Sequence, residues 1–167
     1  MSAEFMRLSL AGRRADAARE LGAVLPETWP GEMQRFVEIR LADLAANPAA
    51  RPWLLRAIVL RAPARQLVGA IGFHDPPGPA RTVEIGYAVE AAHRRQGYAE
   101  EASAALCAWA AATGQIDSVL ASVSPDNAAS LGLIAKLGFR PTGRRWDVDD
   151  GWELTFARVV ESPDATG

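Results

Sequence analysis

Residues 87–102 combine the end of a strand, a short basic loop and the start of an amphipathic helix. Apolar residues then recur at the spacing of one buried helical face, namely at Ala99, Ala102, Leu106 and Trp109. The first turn of a helix leaves several backbone N–H groups free, and the helix dipole favours negative charge there. With Arg94 and Arg95 before Gly97, this segment is a candidate phosphate site. The alternative is a polar loop that caps an ordinary helix.

The order of elements around this segment indicates the fold class. Apolar alternation predicts strands at residues 5–10, 53–61, 66–73, 82–89, 117–123, 139–147 and 152–160. Helical periodicity predicts helices at residues 13–24, 32–46, 97–112 and from 125 or 126 to 137. Gly138 is placed to end the last helix in a left-handed conformation. This order predicts a mixed α/β sheet in a single domain over residues 1–161, with a frayed tail at residues 162–167.

Composition excludes several classes of protein. The chain has 167 residues, the size of one domain, and a net charge of −2, which argues against nucleic-acid binding. The single Cys107 cannot form an internal disulfide and is expected in the core. One cysteine and two histidines argue against a metal site. Because the longest apolar run, residues 104–112, is too short to span a bilayer and no signal peptide is visible, we expect a cytoplasmic protein without a membrane partner.

Two motifs make the interpretation specific. The loop residues Arg94-Arg95-Gln96-Gly97-Tyr98-Ala99 match the pattern Q/R-x-x-G-x-G/A, and Asn127-Ala128-Ala129-Ser130 is followed by Lys136-Leu137-Gly138-Phe139. Both motifs resemble those of the GNAT superfamily of N-acetyltransferases. The strand Glu84-Ile85-Gly86-Tyr87 and the Asn-x-x-Ser form are most similar to the branch that contains RimJ/RimL-type ribosomal-protein N-terminal acetyltransferases. The resemblance covers residues 6–160 and implies a mostly antiparallel sheet with flanking helices.

The resemblance also implies a cofactor, acetyl-CoA, and residues that hold it. The pyrophosphate would be bound by the loop, that is by Arg94, Arg95, Gln96, Gly97, Tyr98 and Ala99. The pantetheine would pair with the strand backbone of Tyr87, Ala88 and Val89, and the N–H of Val89 would stabilise the developing oxyanion. Asn127 and Ser130 lie three residues apart on one helical face that would meet the cofactor arm. A compatible alternative for Asn127 is a helix-start cap.

The implied chemistry is direct attack of a primary amine on acetyl-CoA in a ternary complex. Glu84 is the candidate base, directly or through a water, and the alternative is a structural carboxylate paired with an arginine. Many members of the superfamily carry, at the position of Ile134, a tyrosine that protonates the CoA sulfur. Since isoleucine has no such proton, either Ser130 supplies it or the thiolate leaves unassisted.

The acceptor site is less well marked. Trp29 and Trp152 lie in or beside loops where this superfamily builds its acceptor cleft, and His74 lies in a proline-rich loop. Each has a structural alternative, the core for the tryptophans and the surface for the histidine. The last hairpin carries acidic residues that either attract a cationic amine or form a solvated turn, namely Asp147, Asp149, Asp150 and Glu153.

These residues predict an N-acetyltransferase whose acceptor is a protein N-terminal α-amine or the amine of a small molecule. The fold and cofactor site serve both acceptors, so the sequence does not name one. The alternative function is a non-catalytic acyl-CoA-binding sensor or regulatory module. The sequence does not fix the oligomeric state, although exposed sheet edges and the terminal hairpin could support a homodimer.

Overall fold

A computed structural model describes residues 1–160 of the chain, so the tail predicted at residues 162–167 lies outside the described residues. The helices are α1 (Ala3–Leu10), α2 (Arg14–Leu21), α3 (Gln34–Ala46), α4 (Tyr98–Ala112) and α5 (Ala128–Lys136). The strands are β1 (Arg56–Leu60), β2 (Gln66–Phe73), β3 (Thr82–Val89), β4 (Ser118–Val123), β5 (Arg140–Asp147) and β6 (Gly151–Val159). Single 3₁₀ turns occupy Gly31–Met33, Pro48–Ala50 and Ala91–His93.

The six strands form one sheet in the order β1-β2-β3-β4-β6-β5. The β1–β2, β4–β6 and β5–β6 pairs are antiparallel, whereas β3 and β4 run parallel, with Val83 beside Val119. A parallel pair needs a long crossover connection, and here that connection contains α4. The predicted fold class, a mixed and mostly antiparallel sheet with flanking helices, is confirmed.

The strand predicted at residues 5–10 is wrong, because this segment is helix α1. Ser2 caps the helix by accepting a hydrogen bond from the backbone N–H of Phe5 at 3.0 Å. The buried positions are Phe5, Met6, Leu8 and Ser9, a helical face rather than alternate residues. The apparent alternation failed because Ser9, polar by type, is buried and donates its hydroxyl to the carbonyl of Phe5 at 2.8 Å.

The other predicted elements are present, with shifted ends. The strands at 66–73 and 82–89 have the predicted bounds, while residues 53–55 form a buried turn before β1 rather than part of the strand. The last helix begins at Ala128, and Gly138 follows it with φ 82°. Only glycine adopts that conformation at little cost, so Gly138 ends the helix as predicted.

The first compact unit comprises Met1–Phe73 and Tyr87–Tyr98. Its core is formed by the inner faces of α1 and α3 together with buried residues of β2. Trp29 lies in this core beside Phe5, with ring centroids 5.8 Å apart. The indole N–H of Trp29 donates to the hydroxyl of Ser9 at 2.9 Å. The buried polar groups of α1 and Trp29 therefore satisfy each other.

The second compact unit comprises His74–Gly86 and the described residues from Ala99 onward. Alternate residues of β4 are buried, among them Val119 and Ala121, as expected for a strand with one buried face. Cys107 is 3% exposed on the inner face of α4, which confirms the predicted core position. Burial raises the pKa of its thiol, an effect that the charge of Arg158 only partly opposes.

Candidate functional site

The loop between β3 and α4, predicted from sequence to bind phosphate, contains two residues with positive φ and leads directly into a helix. After the turn Ala91–His93, Arg95 has φ 62° and Gly97 has φ 85°, and α4 begins at Tyr98. An arginine in the left-handed region is strained, and strain of this kind concentrates at ligand-binding positions. Free N–H groups at the start of α4 add partial positive charge. The loop predicted from sequence is therefore present and directly precedes the helix.

The two arginines of this loop have different partners. Arg94 donates from Nε to the carbonyl of Val89 at 2.9 Å and from Nη2 to Glu32 at 3.2 Å. Its guanidinium thus holds the loop against the end of β3. The side chain of Arg95 is exposed and forms no hydrogen bond or ion pair with residues 1–160. Arg95 is therefore the cation of the loop that is available to a phosphate.

Gln96 and Tyr98 brace the same loop. Gln96 donates from Nε2 to the carbonyl of Ala92 at 3.3 Å, and the hydroxyl of Tyr98 donates to Oε1 of Gln96 at 3.2 Å. The ring of Tyr98 lies 6.4 Å from that of His93. These side chains contact the protein itself, so the loop backbone rather than Gln96 or Tyr98 is the part free to bind a ligand.

Gly69 is a residue of this region that sequence analysis missed. A Cβ at this position would lie 2.4 Å from the carbonyl oxygen of Ala88 and 3.1 Å from Cα of Val89. Only glycine therefore allows β2 to approach β3 this closely at the strand predicted to bind pantetheine. The signal was present in the sequence, since Gly69 and Gly72 interrupt an otherwise apolar strand.

The start of α5 confirms one of the two roles considered for Asn127. Its Oδ1 accepts a hydrogen bond from the backbone N–H of Ser130 at 3.0 Å, which is a helix cap. The Ser130 hydroxyl makes no hydrogen bond with the described part of the chain, so its proton is available. Ile134 is 1% exposed and packs in the core. Their roles toward acetyl-CoA stay predictions.

Glu84 is paired with an arginine that sequence analysis did not identify. Nη1 and Nη2 of Arg145 each donate to one oxygen of Glu84 at 2.8 Å. Nε of the same guanidinium donates to Oε2 of Glu153 at 2.9 Å. The arginine-paired alternative for Glu84 is thus the observed arrangement. We call Glu84, Arg145 and Glu153 the carboxylate–arginine cluster.

His74 lies at the edge of the carboxylate–arginine cluster. Its Nδ1 is 3.9 Å from Oε1 of Glu84, and its backbone N–H donates to the carbonyl of Glu84 at 2.9 Å. The structure therefore brings together two residues that the sequence proposed separately, one for the acceptor site and one for proton transfer.

The two carboxylates of the carboxylate–arginine cluster are largely buried, and the cluster carries a net negative charge. The side chains of Glu84 and Glu153 are 16% and 11% exposed, against 42% for Arg145. Burial by itself lowers the pKa of Arg145, but the hydrogen bonds and charges of the two carboxylates outweigh it and raise that pKa overall. Two carboxylates with one guanidinium leave one uncompensated negative charge. The net negative charge of the cluster therefore favours the binding of a cation.

The predicted acceptor-site tryptophans lie in different surroundings. Trp29 occupies the core position that the sequence left open, and the residue is 6% exposed. Trp152 is 49% exposed and meets Trp146 edge to face at 5.6 Å, while the guanidinium of Arg144 lies 4.6 Å from its ring centre. Trp152 is therefore accessible to a ligand, whereas Trp29 is not.

The acidic turn after β5 is held by hydrogen bonds between its own residues. Oδ1 of Asp147 accepts the backbone N–H groups of Asp149 and Asp150 at 2.8 and 3.1 Å. Hydrogen bonds of this type shape tight turns. The observed contacts match the structural alternative for these residues, except for Glu153, which belongs to the cluster.

Within residues 1–160, no group of three or more histidine, cysteine, aspartate or glutamate side chains is arranged to hold a metal ion. None of the helices in this part of the chain is long and apolar enough to cross a membrane.

Comparison with known proteins gives consistent similarities. The family described as "Acetyltransferase (GNAT) domain" matches residues 8–140. YjdG of Bacillus subtilis, an uncharacterized N-acetyltransferase, is 34% identical over 128 residues, which are 74% of this chain and 73% of that protein. The ribosomal-protein-S5-alanine acetyltransferase of Vibrio fischeri superposes with a TM-score of 0.65 at 13% identity, covering 96% of this chain and 91% of that one.

A third similar structure was solved with its ligands. The microcin C7 self-immunity acetyltransferase MccE, in complex with acetyl-CoA and AMP, superposes with a TM-score of 0.61 at 17% identity. The match covers 95% of this chain and 87% of that one. At this identity the likeness is one of fold.

Proposed function

Since the chain belongs to the GNAT acetyltransferase family and is an N-acetyltransferase, we propose that it transfers the acetyl group of acetyl-CoA to a primary amine by direct attack in a ternary complex. The observation that carries this proposal is the loop before α4. It combines a strained left-handed Arg95, Gly97 and a helix N-terminus with an arginine side chain free to bind phosphate.

The loop residues fit the pyrophosphate of acetyl-CoA. Backbone N–H groups from Arg95 to Ala99 would bind its oxygens, because the N–H of Arg94 already donates to the carbonyl of Ala91 at 3.3 Å. The side chain of Arg95 would add a charge-assisted hydrogen bond. The backbone of Tyr87, Ala88 and Val89 would pair with the pantetheine, with the N–H of Val89 directed at the thioester oxygen. When bound, acetyl-CoA supplies an activated acetyl group on a thiol leaving group.

Residues of the chain would carry out the two proton transfers, one from the amine and one to the departing sulfur. A protonated amine must lose a proton before its nitrogen can attack the carbonyl carbon. In the proposed mechanism that proton goes to the carboxylate–arginine cluster, in which Glu84 is the residue predicted from sequence. As the carbon–sulfur bond breaks, the Ser130 hydroxyl would protonate the departing sulfur, because Ile134 cannot.

The acceptor we propose is a cationic primary amine, either a protein N-terminal α-amine or an amine of a small molecule. The net negative charge of the carboxylate–arginine cluster supports a cation, and the accessible Trp152 and His74 are candidates for contacts with the rest of the acceptor. Fold alone does not decide between peptide and small molecule. A cytoplasmic location and a homodimer remain predictions, which cell fractionation and sedimentation would test.

Calorimetric titration with acetyl-CoA tests the cofactor assignment, with ATP and NAD as control ligands. We expect selective binding of acetyl-CoA. Arg95→Ala should weaken it about tenfold or more, because a charged hydrogen bond contributes about 1.5–3 kcal/mol. Arg61→Ala is the matched control, since Arg61 is also exposed and has no partner among residues 1–160. Folded protein that fails to bind acetyl-CoA would refute the proposal.

Turnover is then measured as thiol release with a panel of amines. The panel contains short peptides with free N-termini, the same peptides acetylated at the N-terminus, and polyamines. Release that requires the free α-amine would identify a peptide acceptor, and release with polyamines alone would identify a small-molecule acceptor. A protein that binds acetyl-CoA and releases no thiol with any amine would contradict the proposed catalysis.

A further inference from the structure

Glu153 has a carboxylate oxygen without a hydrogen bond in a largely buried position. The residue is 9% exposed, and Arg145 is its partner through Oε2 alone. Within the described residues no donor contacts Oε1. This oxygen is not one of the buried polar atoms that lack a partner, so it is open to solvent and can accept a hydrogen bond or a proton from a ligand.

Glu84, the base expected from sequence, has no carboxylate oxygen that is free of a hydrogen bond. Both of its oxygens accept hydrogen bonds from the terminal nitrogens of Arg145 at 2.8 Å, in the fork geometry that arginine forms with carboxylates. To take a proton, Glu84 must share or lose one of these two bonds. Glu153 can take a proton on Oε1 and keep its bond from Nε of Arg145.

The groups that face Glu153 favour its use as a proton acceptor. Arg145 lies opposite it in the β5–β6 pair and fixes its orientation through Nε. Glu84 accepts a hydrogen bond from Nη2 of the same guanidinium, and Nδ1 of His74 lies 3.9 Å from Oε1 of Glu84. With one cation between two carboxylates, the cluster attracts an ammonium group, and the open oxygen is on Glu153.

We propose that Glu153 is the catalytic residue that contacts the acceptor amine and takes its proton, and that Arg145 and Glu84 are positioning residues. The ammonium N–H transfers its proton to Oε1 of Glu153, and the nitrogen lone pair forms the bond to the acetyl carbonyl carbon. As the carbon–sulfur bond breaks, the sulfur takes the Ser130 hydroxyl proton and CoA leaves as a thiol. The nitrogen, which still carries two protons, loses one of them to restore the Ser130 hydroxyl and becomes the neutral amide. Glu153 returns its proton to solvent. This inference rests on the proposed acetyl transfer, and it assigns the amine contact to Glu153 instead of Glu84.

The test compares Glu153→Gln with Glu84→Gln. Glutamine keeps a carbonyl oxygen that can accept from Arg145, so both variants are expected to fold and to bind acetyl-CoA like the parent. With the amine that gives the fastest thiol release, we expect kcat/KM of Glu153→Gln to fall about 100-fold or more near neutral pH, the usual scale of general-base catalysis. Glu84→Gln should lose less.

The pH profile separates catalysis from a structural effect. In the parent the rate should fall at low pH, where a carboxylate base can no longer accept the proton of the amine. In Glu153→Gln the deficit should shrink as the pH approaches the pKa of the free amine, because the amine then loses its proton without help. Asp117→Asn is the matched control: Asp117 forms an exposed pair with Arg81, both of its oxygens 3.0 Å from Nε. It should leave the profile unchanged.

Several outcomes would overturn the inference. One is a Glu153→Gln variant within about threefold of the parent in kcat/KM, and another is a larger loss with a changed pH profile in Glu84→Gln. If Glu153→Gln does not fold, Glu153→Asp replaces it, since it keeps the charge but shortens the reach, and parental activity there would refute the contact. A parent that binds acetyl-CoA but turns over no amine would refute the proposed function itself.

Discussion

Substituting Gly69 with alanine should separate β2 from the strand predicted to hold the cofactor. The new Cβ would lie 2.4 Å from the carbonyl oxygen of Ala88, whereas ordinary contacts begin at 3.4 Å. The strands must therefore move apart by about 1 Å. The neighbouring hydrogen bond from the N–H of Glu90 to the carbonyl of Val68, now 2.9 Å, would be stretched beyond a useful length.

The expected cost follows from these two effects. Overpacking a tight site costs about 1–3 kcal/mol, and one lost backbone hydrogen bond adds about 1 kcal/mol. Gly69→Ala should therefore lower the free energy of unfolding by about 2–4 kcal/mol. In a chain of this length each kcal/mol lowers Tm by about 2–4 °C, so Tm should fall by about 4–16 °C.

Urea denaturation followed by circular dichroism measures this change. Gly132→Ala is the matched control, because Gly132 lies inside α5 and nothing is within 4 Å of its added Cβ. There alanine should raise the free energy of unfolding by about 0.5–1 kcal/mol, the helix penalty of glycine. If Gly69→Ala stays within about 0.5 kcal/mol of the parent, β2 and β3 are not as close as described and the reasoning fails.

Three further predictions concern buried groups and a cap. Trp29→Phe should cost about 1 kcal/mol in urea denaturation, since Ser9 loses the indole donor; an unchanged midpoint would contradict this. Because the pKa of Cys107 is raised, alkylation should be slow in the folded protein and fast in urea, and stability should fall as pH rises above the unfolded thiol pKa of about 8.5; equal alkylation rates would disprove burial. Asn127→Ala should lose about 1 kcal/mol while Asn127→Ser, which can still cap the N–H of Ser130, should lose little; equal losses would show that capping is unimportant.

The elements nearest the cofactor loop could be predicted because their signals are local. Strand β3 alternates in burial at its start, and α4 follows a glycine that adopts the conformation only glycine favours. Residues 5–10 could not be predicted in this way. Their burial depends on Trp29, twenty residues away, whose indole N–H satisfies Ser9.

The side-chain partners in the candidate site could not be predicted from local signals. Glu84 and Arg145 are 61 residues apart in the chain, and their pairing depends on the register of the last hairpin. The sequence indicated that Glu84 carries charge on a strand beside the predicted cofactor site. It left open whether that carboxylate is a catalytic base or the structural partner of an arginine. The structure shows the pair, and it also shows which arginine of the loop, Arg95, remains free.

The amino-acid sequence alone determined the family motifs, the order of the elements after residue 53, and the loop before α4, because periodicity, glycine conformation and helix ends act over a few residues. Only the tertiary structure decided that α1 is a helix, that Trp29 is buried, and that Arg145 holds Glu84 and Glu153 together. Those outcomes depend on distances between residues far apart in the chain, which burial and strand register set and which no local pattern encodes.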